Sequence, residues 1–495
     1  MKKKLLSVAV LAALAGGINT AQAVYVNSDG LGQTLLYPYY TAESGNDTLI
    51  SVVNTTNMVK AVKVRFVEGM NSVEVLDFNL YLSPFDHWSA VVTANADGAI
   101  VKTIDTSCTV PAIPVAGQPF SSFLYSDDSV NGKDRTRAGY VEIITMGNVY
   151  DGEGSSEPHF ATDATHVNGV PADCGALTAS WSAGGIWSGD ANAYIEPDYY
   201  HYSGGLYGYG VIINVNEGTD GTYDAIALER FTDSVLHARP GDSSPSLNDA
   251  DEYATVNYMD YPIYMETENG LDAVSMVLMH DTIVNDFVLE PTIHAGTDWV
   301  ITMPTKHDYV NQGRDEDGDL EPAIPPFTEP WDDKISTSCE QIGIVYYDRE
   351  ERTVVPDIGF SPVQPGGAFA LCAEANVLTF TSPDGVTADV LGNVAAGGKL
   401  SADLSVLYNN GWLSMGFSQS LANLDGDYED RMLGAFYETY DEEGFVYLEG
   451  LPVMGFAIQK YSNGNLVVDG ATVLSNYAGT VKHKATRDFY FEEFN

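Results

Sequence analysis

The stretch that decides the fold class covers residues 48–92 and reads TLISVVNTTNMVKAVKVRFVEGMNSVEVLDFNLYLSPFDHWSAVV. Within it, apolar and basic residues alternate one by one, in the order Val62, Lys63, Val64, Arg65 and Phe66. A period of two is typical of a strand with one buried face and one face in solvent. We therefore expect a β protein.

A second alternating run follows, and its phase slips by one residue between Val75 and Leu76. One extra residue in a strand predicts a bulge or bend there. Turn residues separate the runs at the spacing of 8 to 12 residues typical of a sandwich. The predicted fold class is mainly β, with immunoglobulin-like β-sandwich modules, long insertions and few short helices.

The first residues predict export. Three lysines, Lys2, Lys3 and Lys4, precede an apolar run, and Ala21-Gln22-Ala23 supplies small residues at a cleavage position. This pattern predicts a secretory signal peptide over residues 1–23. No later run approaches the roughly 18 apolar residues of a membrane-spanning helix, so we expect a secreted chain with no transmembrane segment.

The chain is strongly acidic, with 69 Asp and Glu against 23 Lys and Arg and a net charge of -46. Such a charge disfavours nucleic acid and anionic lipid as partners. Residues 138–229 and 240–305 contain no Lys or Arg. Their carboxylates are either solvated or neutralised by cations, and the sequence leaves both readings open.

Four cysteines in an exported chain predict two disulfides. Three pairings are possible, but Cys108 and Cys339 have similar contexts, Thr-Ser-Cys, and each is followed by a partner in its own half. This favours Cys108 with Cys174 and Cys339 with Cys372.

The predicted organisation is a signal peptide (1–23), an N-terminal β-sandwich domain with insertions (24–235), a middle β-rich domain with acidic loops (236–386) and a C-terminal β-rich region (387–495). Residues 147–208 are predicted to form a long insertion with local structure, because aromatic residues at this density favour burial. Residues 223–237 are the best helix candidate. Residues 271–289 fit either a helix or paired strands.

One polar motif occurs twice and predicts calcium binding. Alternate oxygen ligands around a glycine suit a Ca²⁺ ion, and neither copy is an EF-hand loop. The candidate ligands are Asp315, Asp317, Asp319 and Glu321 in the first copy, and Asn423, Asp425, Asp427 and Glu429 in the second.

No motif predicts an enzyme, and we predict no catalytic residues. Gly241-Asp242-Ser243 resembles the nucleophile segment of chymotrypsin-like proteases, but no histidine lies in the matching context. His159 and His166 are the closest pair of histidines, without the spacing of a metal site. A catalytic set that converges from distant loops stays open at this level.

Several blocks resemble a family of secreted, acidic proteobacterial cell-surface proteins, some of which are described as surface-layer proteins. They are LYGYGVIINVNEGT (206–219), LHARPG (236–241), GTDWVITMPTKHDYV (296–310) and YYDREE (346–351). The blocks carry no catalytic residues. The resemblance implies a structural role at the cell surface.

We therefore expect a structural protein that self-associates into a surface layer or biofilm matrix, stabilised by calcium, on the outer surface of a Gram-negative cell. Lipopolysaccharide, reached through divalent cations, is a second expected partner. The alternatives are a monomeric adhesin or glycan-binding surface protein, a secreted hydrolase and an outer-membrane barrel. The barrel is disfavoured because lipid-facing alternation in segments of about 10 residues does not recur regularly.

Overall fold

The computed structural model describes residues 23–125, 132–198, 204–259, 261–353, 369–394, 400–418, 431–438, 443–468 and 470–493. The predicted signal peptide and the second acidic motif, 423–429, lie outside these ranges. Strands hold half of the residues, which confirms the mainly β class. Of the helices in these ranges, none has the length and apolar character needed to cross a membrane.

The N-terminal half contains sixteen of the described strands. They are β1 (Tyr25–Val26), β2 (Thr34–Thr41), β3 (Asn46–Asn54), β4 (Val59–Glu68), β5 (Glu74–Leu82), β6 (His87–Asn95), β7 (Gly98–Lys102), β8 (Cys108–Val110), β9 (Gln118–Pro119), β10 (Ala138–Val149), β11 (His166–Val167), β12 (Val170–Pro171), β13 (Ile195–Glu196), β14 (Leu206–Asn214), β15 (Thr219–Asp224) and β16 (Ile226–Glu229).

Fourteen of these strands form a sandwich of two antiparallel sheets, and β11 and β12 form a separate hairpin. One sheet has the order β1-β16-β2-β10-β4-β5-β8, with β13 paired to β10, and the other has the order β15-β14-β3-β6-β7-β9. Val64 of β4, Trp88 of β6 and Ile143 of β10 are fully buried in the core between the sheets. The stretch quoted first therefore supplies strands to both layers.

The predicted bulge is present in β5. Phe66 pairs with Leu76, whereas the next residue, Val67, pairs with Glu74, so Val75 has no residue opposite it. The phase slip in the sequence marks this position, and the extra residue lets both parts of the strand keep their apolar side chains in the core.

The second face of β4 is not in solvent, so that part of the prediction is wrong. The Lys63 side chain is fully buried and its Nζ lies 2.5 Å from Asp77 Oδ2. The chain returns across this face, where Lys63 Nζ donates to Arg239 O (3.3 Å) and Asn79 Nδ2 donates to Ala238 O (2.9 Å). Basic residues alternate with apolar ones here because the covering layer is polar.

The predicted long insertion is described over residues 150–198, and this part folds onto the sandwich through an aromatic cluster. It contains the helices α1 (Phe160–Ala164), α2 (Cys174–Ser180) and α3 (Ile186–Gly189). Trp187 is stacked on Tyr81 of β5, with ring centroids 5.5 Å apart, and Trp181 Nε1 donates to the Tyr81 hydroxyl (3.0 Å). A disulfide between Cys108 and Cys174 ties α2 to β8.

The helix predicted over residues 223–237 is absent, because this segment provides strands and loop. β15 ends at Asp224, and Leu228 of β16 pairs with Thr34 of β2. Tertiary pairing overrides the helical spacing of the apolar residues. The adjacent Gly210 is also required by packing, since a Cβ there would lie 2.2 Å from the Tyr223 ring.

The second half contains the remaining strands of the described residues. They are β17 (Tyr253–Tyr258), β18 (Tyr261–Glu266), β19 (Met279–His280), β20 (Thr282–Val288), β21 (Ala295–Thr302), β22 (Glu340–Asp348), β23 (Phe369–Leu371), β24 (Ala375–Thr381), β25 (Ser401–Ser405), β26 (Asn410–Gly416), β27 (Met432–Glu438), β28 (Glu443–Glu449), β29 (Leu451–Pro452), β30 (Met454–Val468), β31 (Ala471–Lys482), β32 (Lys484–Thr486) and β33 (Asp488–Glu493).

Three five-stranded sheets organise this half, with the orders β17-β18-β27-β28-β33, β23-β22-β26-β20-β32 and β25-β24-β21-β30-β31. Each sheet takes strands from both sides of the boundary proposed between residues 386 and 387. The domain boundaries stay predictions, but the strands of the middle and C-terminal regions pair with each other throughout.

The segment left open between helix and strands contains both. α4 (Gly270–Leu278) is followed by β19 and β20, and all nine residues of α4 are buried. Asn269 caps this helix by accepting a hydrogen bond from the Asp272 backbone amide (2.9 Å). The short helix α5 (Lys306–Val310) and 3-10 turns at Gly132–Arg137, Leu247–Asp249 and Pro291–Ile293 complete the helical elements described.

A second disulfide joins Cys339 to Cys372. Both bonds join the cysteines that the sequence analysis paired. Two disulfides are typical of proteins that fold in an oxidising compartment.

The two halves share a buried junction. Val300 of β21 and Phe456 of β30 are part of the sandwich core. Thr302 Oγ1 donates to Pro38 O (2.6 Å), and Asn46 Nδ2 donates to Leu391 O (3.1 Å). The chain thus packs as one continuous body across this junction.

Candidate functional site

The first acidic motif forms a tight turn in which one of the predicted ligand oxygens already accepts hydrogen bonds from the turn's own backbone. Asp315 Oδ1 accepts hydrogen bonds from the backbone amides of Asp317 (3.0 Å) and Asp319 (2.9 Å). Gly318 has a φ of +84°, a conformation that glycine adopts without strain. The glycine of the motif is therefore explained by the turn itself.

An arginine fastens this loop to a neighbouring acidic segment. Arg314 lies 2.7 Å from both Asp332 Oδ1 and Asp333 Oδ1, and its Nη1 donates to Gly318 O (3.0 Å). The hydrogen bond from Arg314 lowers the pKa of the Asp333 carboxyl. The positively charged Arg314 side chain therefore already neutralises part of the negative charge beside the predicted calcium ligands.

The arrangement does not by itself form a metal centre. Across the ranges that the structure describes, no group of three or more His, Cys, Asp or Glu side chains is placed to hold a metal ion. The second copy, at Asn423, Asp425, Asp427 and Glu429, lies outside those ranges. Calcium binding stays a prediction.

The structure brings serine, aspartate and histidine together at a place that no motif marked. His166 Nδ1 lies 2.8 Å from Ser83 Oγ and 3.6 Å from Asp86 Oδ2. Its other nitrogen, Nε2, lies 3.4 Å from Thr106 Oγ1. A nucleophile relay needs the hydroxyl and the carboxylate on opposite ring nitrogens, whereas Ser83 and Asp86 share one.

This cluster is a pin between the insertion and the sandwich. His166 opens the β11–β12 hairpin, and Ser83 follows β5. The Ser83 side chain is buried at the end of its strand. His159 faces Asp151 instead, at 4.0 Å, so the two histidines singled out in the sequence have different partners.

Ser243, in the protease-like triplet, is exposed and makes no hydrogen bond to a histidine among the described residues. The neighbouring Gly241 amide donates to Asp77 Oδ2 (2.9 Å), so the triplet belongs to the layer that covers β4 and β5. His237, close to it in the chain, is enclosed by aromatic rings, and burial lowers its pKa to about 4.

Sequence reasoning missed buried ion pairs on both faces of β4, one made by Lys60 on the side of the core and others made by Arg65 on the covered face. Lys60 Nζ lies 2.6 Å from Asp198 Oδ1. Arg65 contacts two carboxylates, Glu74 Oε2 at 2.9 Å and Glu142 Oε2 at 2.6 Å. The carboxylates that pair with these basic residues are mostly distant in the sequence. A local pattern therefore cannot show whether Arg65 faces solvent or a covering layer.

Ionisable groups are also buried where the halves meet. Burial raises the pKa of Glu374 to about 8, against the opposing effect of Lys306. Burial raises the pKa of Asp298 to about 7 as well. Asp298 Oδ2 accepts from the Leu391 amide (2.8 Å), whereas Oδ1 has no hydrogen-bond donor among the described residues.

The most unusual exposed feature is the hairpin of β30 and β31. β31 is the last strand of its sheet and has twelve residues. β30 reaches past its neighbour β21, whose pairing with it ends at Tyr461. Three side chains on one face of β31 are exposed, namely Val473 (42%), Tyr477 (59%) and Val481 (45%).

The hairpin is also distinct in charge. Residues 450–487 contain four basic residues and one acidic residue, whereas the whole chain has three acidic residues for each basic one. Within β31 the only charged residue is Lys482, at its end. Long uncharged edge strands readily pair with other strands, and proteins usually protect them with charges or proline.

The other face of β31 is held by the N-terminal half. Asn476 Nδ2 donates to Glu217 O (2.6 Å), and Glu217 is itself paired with Lys460 (3.1 Å). The Thr480 hydroxyl donates to Thr222 O. β15 thus crosses one face of the hairpin and fixes its position, while the outer edge of β31 carries no further strand among the described residues.

Comparisons with known proteins return no matching family model, no similar curated protein and no similar solved structure.

Proposed function

We propose that this protein is a secreted structural component of the outer surface of a Gram-negative cell, where copies assemble into a surface layer or biofilm matrix. The observation that carries the proposal is the fixed, uncharged outer edge of β31 with its exposed Val473 and Tyr477. The resemblance blocks of the sequence agree with this role.

The charge of the chain explains why this edge is favoured over other contacts between copies. Two bare charges 4 Å apart repel by about 4 kcal/mol at an effective dielectric of 20. A net charge of -46 therefore opposes most contacts between copies. A surface without carboxylates avoids that repulsion, so copies meet there in preference to elsewhere.

Calcium and lipopolysaccharide belong to the same proposal. Divalent ions reduce repulsion between acidic loops, and the carboxylates at Asp315, Asp317, Asp319 and Glu321 supply suitable oxygens. Lipopolysaccharide would be reached through the same ions. Chelation with EGTA should then release protein from cells, and Ca²⁺ should restore assembly where Na⁺ of equal ionic strength does not.

Sedimentation of the purified protein tests assembly itself. The wild-type protein should form species larger than a monomer as concentration rises. Replacing Val473 and Tyr477 by Asp should shift the population to monomer, because each pair of copies would then bring four new carboxylates together.

A matched control uses two exposed valines elsewhere, Val115 (99%) and Val386 (63%). The Val115→Asp, Val386→Asp variant carries the same added charge and should associate as the wild type does. A wild-type protein that stays monomeric at every concentration, with and without Ca²⁺, would refute the proposed function.

A glycan-binding surface protein is the second candidate, favoured by one observation. Trp412 is 45% exposed and is stacked on Tyr347, with ring centroids 4.8 Å apart. An exposed, fixed aromatic surface suits stacking against an apolar face of a sugar. Glycan binding that is lost in a Trp412→Ala variant would favour this candidate.

A further inference from the structure

We propose that β31 pairs with β31 of a second copy around a two-fold axis that passes beside Tyr477. This inference rests on the proposed function and names the contact that joins two copies. The two five-stranded sheets would become one continuous ten-stranded sheet, because each contributes its terminal strand and the two copies of β31 would pair antiparallel.

The sequence of β31 is self-complementary in this register. Val473 and Val481 lie four residues before and four residues after Tyr477. In an antiparallel pair centred on Tyr477, each Val473 faces Val481 of the other copy, and the two Tyr477 side chains are neighbours. All three side chains lie on the same face, since they are separated by even numbers of residues.

The charge distribution favours a second copy as the occupant of this edge. Residues 470–487 contain no Asp or Glu. The register places the two Lys482 side chains at opposite ends of the paired strands, so like charges are not opposed. An isologous contact of this kind brings the same patch of each copy together, as in most symmetric dimers.

The surroundings of β31 leave the edge open in this register. The contacts with β15 lie on the face of the hairpin that carries Asn476 and Thr480. Near the end of the strand, Asn285 Nδ2 donates to the Val481 carbonyl (3.0 Å), which occupies one backbone acceptor. The stretch open to backbone pairing therefore runs through Tyr477.

Salt dependence follows from the charges that surround the edge. The pair brings two acidic bodies together through an uncharged strand, so added NaCl should strengthen this two-copy contact in solution by screening repulsion between the bodies. Assembly on cells requires Ca²⁺ in addition, because screening by Na⁺ does not join the acidic loops. A contact made by a basic patch on an acidic one would weaken in salt instead.

Cysteine crosslinking tests the pairing directly, because every described cysteine is already in a disulfide. Residues directly opposite each other in an antiparallel pair have Cα atoms about 4.5–5.5 Å apart, within reach of a disulfide. Mild oxidation of the full-length Tyr477→Cys variant should yield crosslinked dimer on the order of tenfold above a Val115→Cys control.

The register has its own test. Val473→Cys copies should not crosslink to each other, since eight residues separate the two positions by roughly 27 Å along the strands. A mixture of Val473→Cys and Val481→Cys copies, one of them tagged, should form the mixed dimer.

The outcomes separate this inference from the proposed function. Dimer formation by Val473→Cys alone would overturn the register. If the wild type associates but Tyr477→Cys crosslinks no better than Val115→Cys, the β31 pair is wrong while assembly stands. If the wild type does not associate at all, the proposed function fails and this inference fails with it.

Discussion

Replacement of Asp298 by Asn probes the charge state of the junction between the two halves. Asp298 lies in β21, fully buried, opposite Thr379 of β24. Burial raises the pKa of its carboxyl from 3.8 to about 7. Asn has nearly the same shape and cannot ionise, so it removes the cost of a buried charge, while its amide oxygen can take the place of Asp298 Oδ2 and accept from the Leu391 amide.

The sign of the effect follows from the raised pKa. Below pH 3.8 the carboxyl is protonated in both the folded and the unfolded chain, so it makes no difference to stability. Between pH 3.8 and 7 only the unfolded chain releases the proton, and the folded state loses stability as the pH rises. The full loss, about 4 kcal/mol from a shift of about three units, is reached above pH 7.

The assay is the difference in thermal midpoint between the variant and the wild type at several pH values. The Asp298→Asn variant should match the wild type near pH 4 and exceed it at pH 8, and comparing the two proteins cancels the titration of other buried groups such as Glu374. A variant that is less stable at pH 8 would refute the reasoning. That result would mean that the ionised carboxylate is stabilised, as by a bound cation.

Three further expectations follow from the buried pairs, the histidine pin and the disulfides. Arg65→Met should lower the free energy of unfolding by about 3–5 kcal/mol in a denaturation assay, because two carboxylates lose their partner in the interior. Lys102 is exposed, so the control Lys102→Met should leave the free energy of unfolding unchanged. Purified protein should not hydrolyse esters, peptides or glycosides. His166→Ala should increase proteolysis of the insertion, because it removes the contact with Ser83 that holds the insertion on the sandwich. Hydrolytic turnover that is abolished by His166→Ala would contradict this structural role of His166. Non-reduced peptide mapping should return the two disulfides of the structure, and a peptide joining Cys108 to Cys339 would exclude them.

Local sequence patterns were sufficient to predict the parts of the fold that depend on residues close together in the chain. The alternation around Val64 predicted a strand, and the slip at Val75 predicted its bulge, because both record which side chains face the core. Disulfide pairing within each half also followed from the chain order of Cys108 and Cys339.

Features that depend on distant segments could not be predicted in this way. The alternation of Lys63 and Arg65 with apolar residues is the same whether water or a polar layer covers the two basic side chains. The loop that returns at Arg239 determines that Lys63 is buried. Helical spacing near Leu228 was overridden by pairing with β2. The acid-poor run of residues 450–487 is visible in the sequence, but its place at a sheet edge is not.

Assembly on the cell surface is the most direct measure of the proposed role. Electron cryotomography of cells that secrete the wild-type protein should reveal an ordered layer. Cells that secrete the Val473→Asp, Tyr477→Asp variant in equal amount should lack it, and cells with the Val115→Asp, Val386→Asp control should keep it. A wild-type surface without any ordered layer or matrix, or a layer that persists unchanged in the Val473→Asp, Tyr477→Asp variant, would contradict assembly through β31.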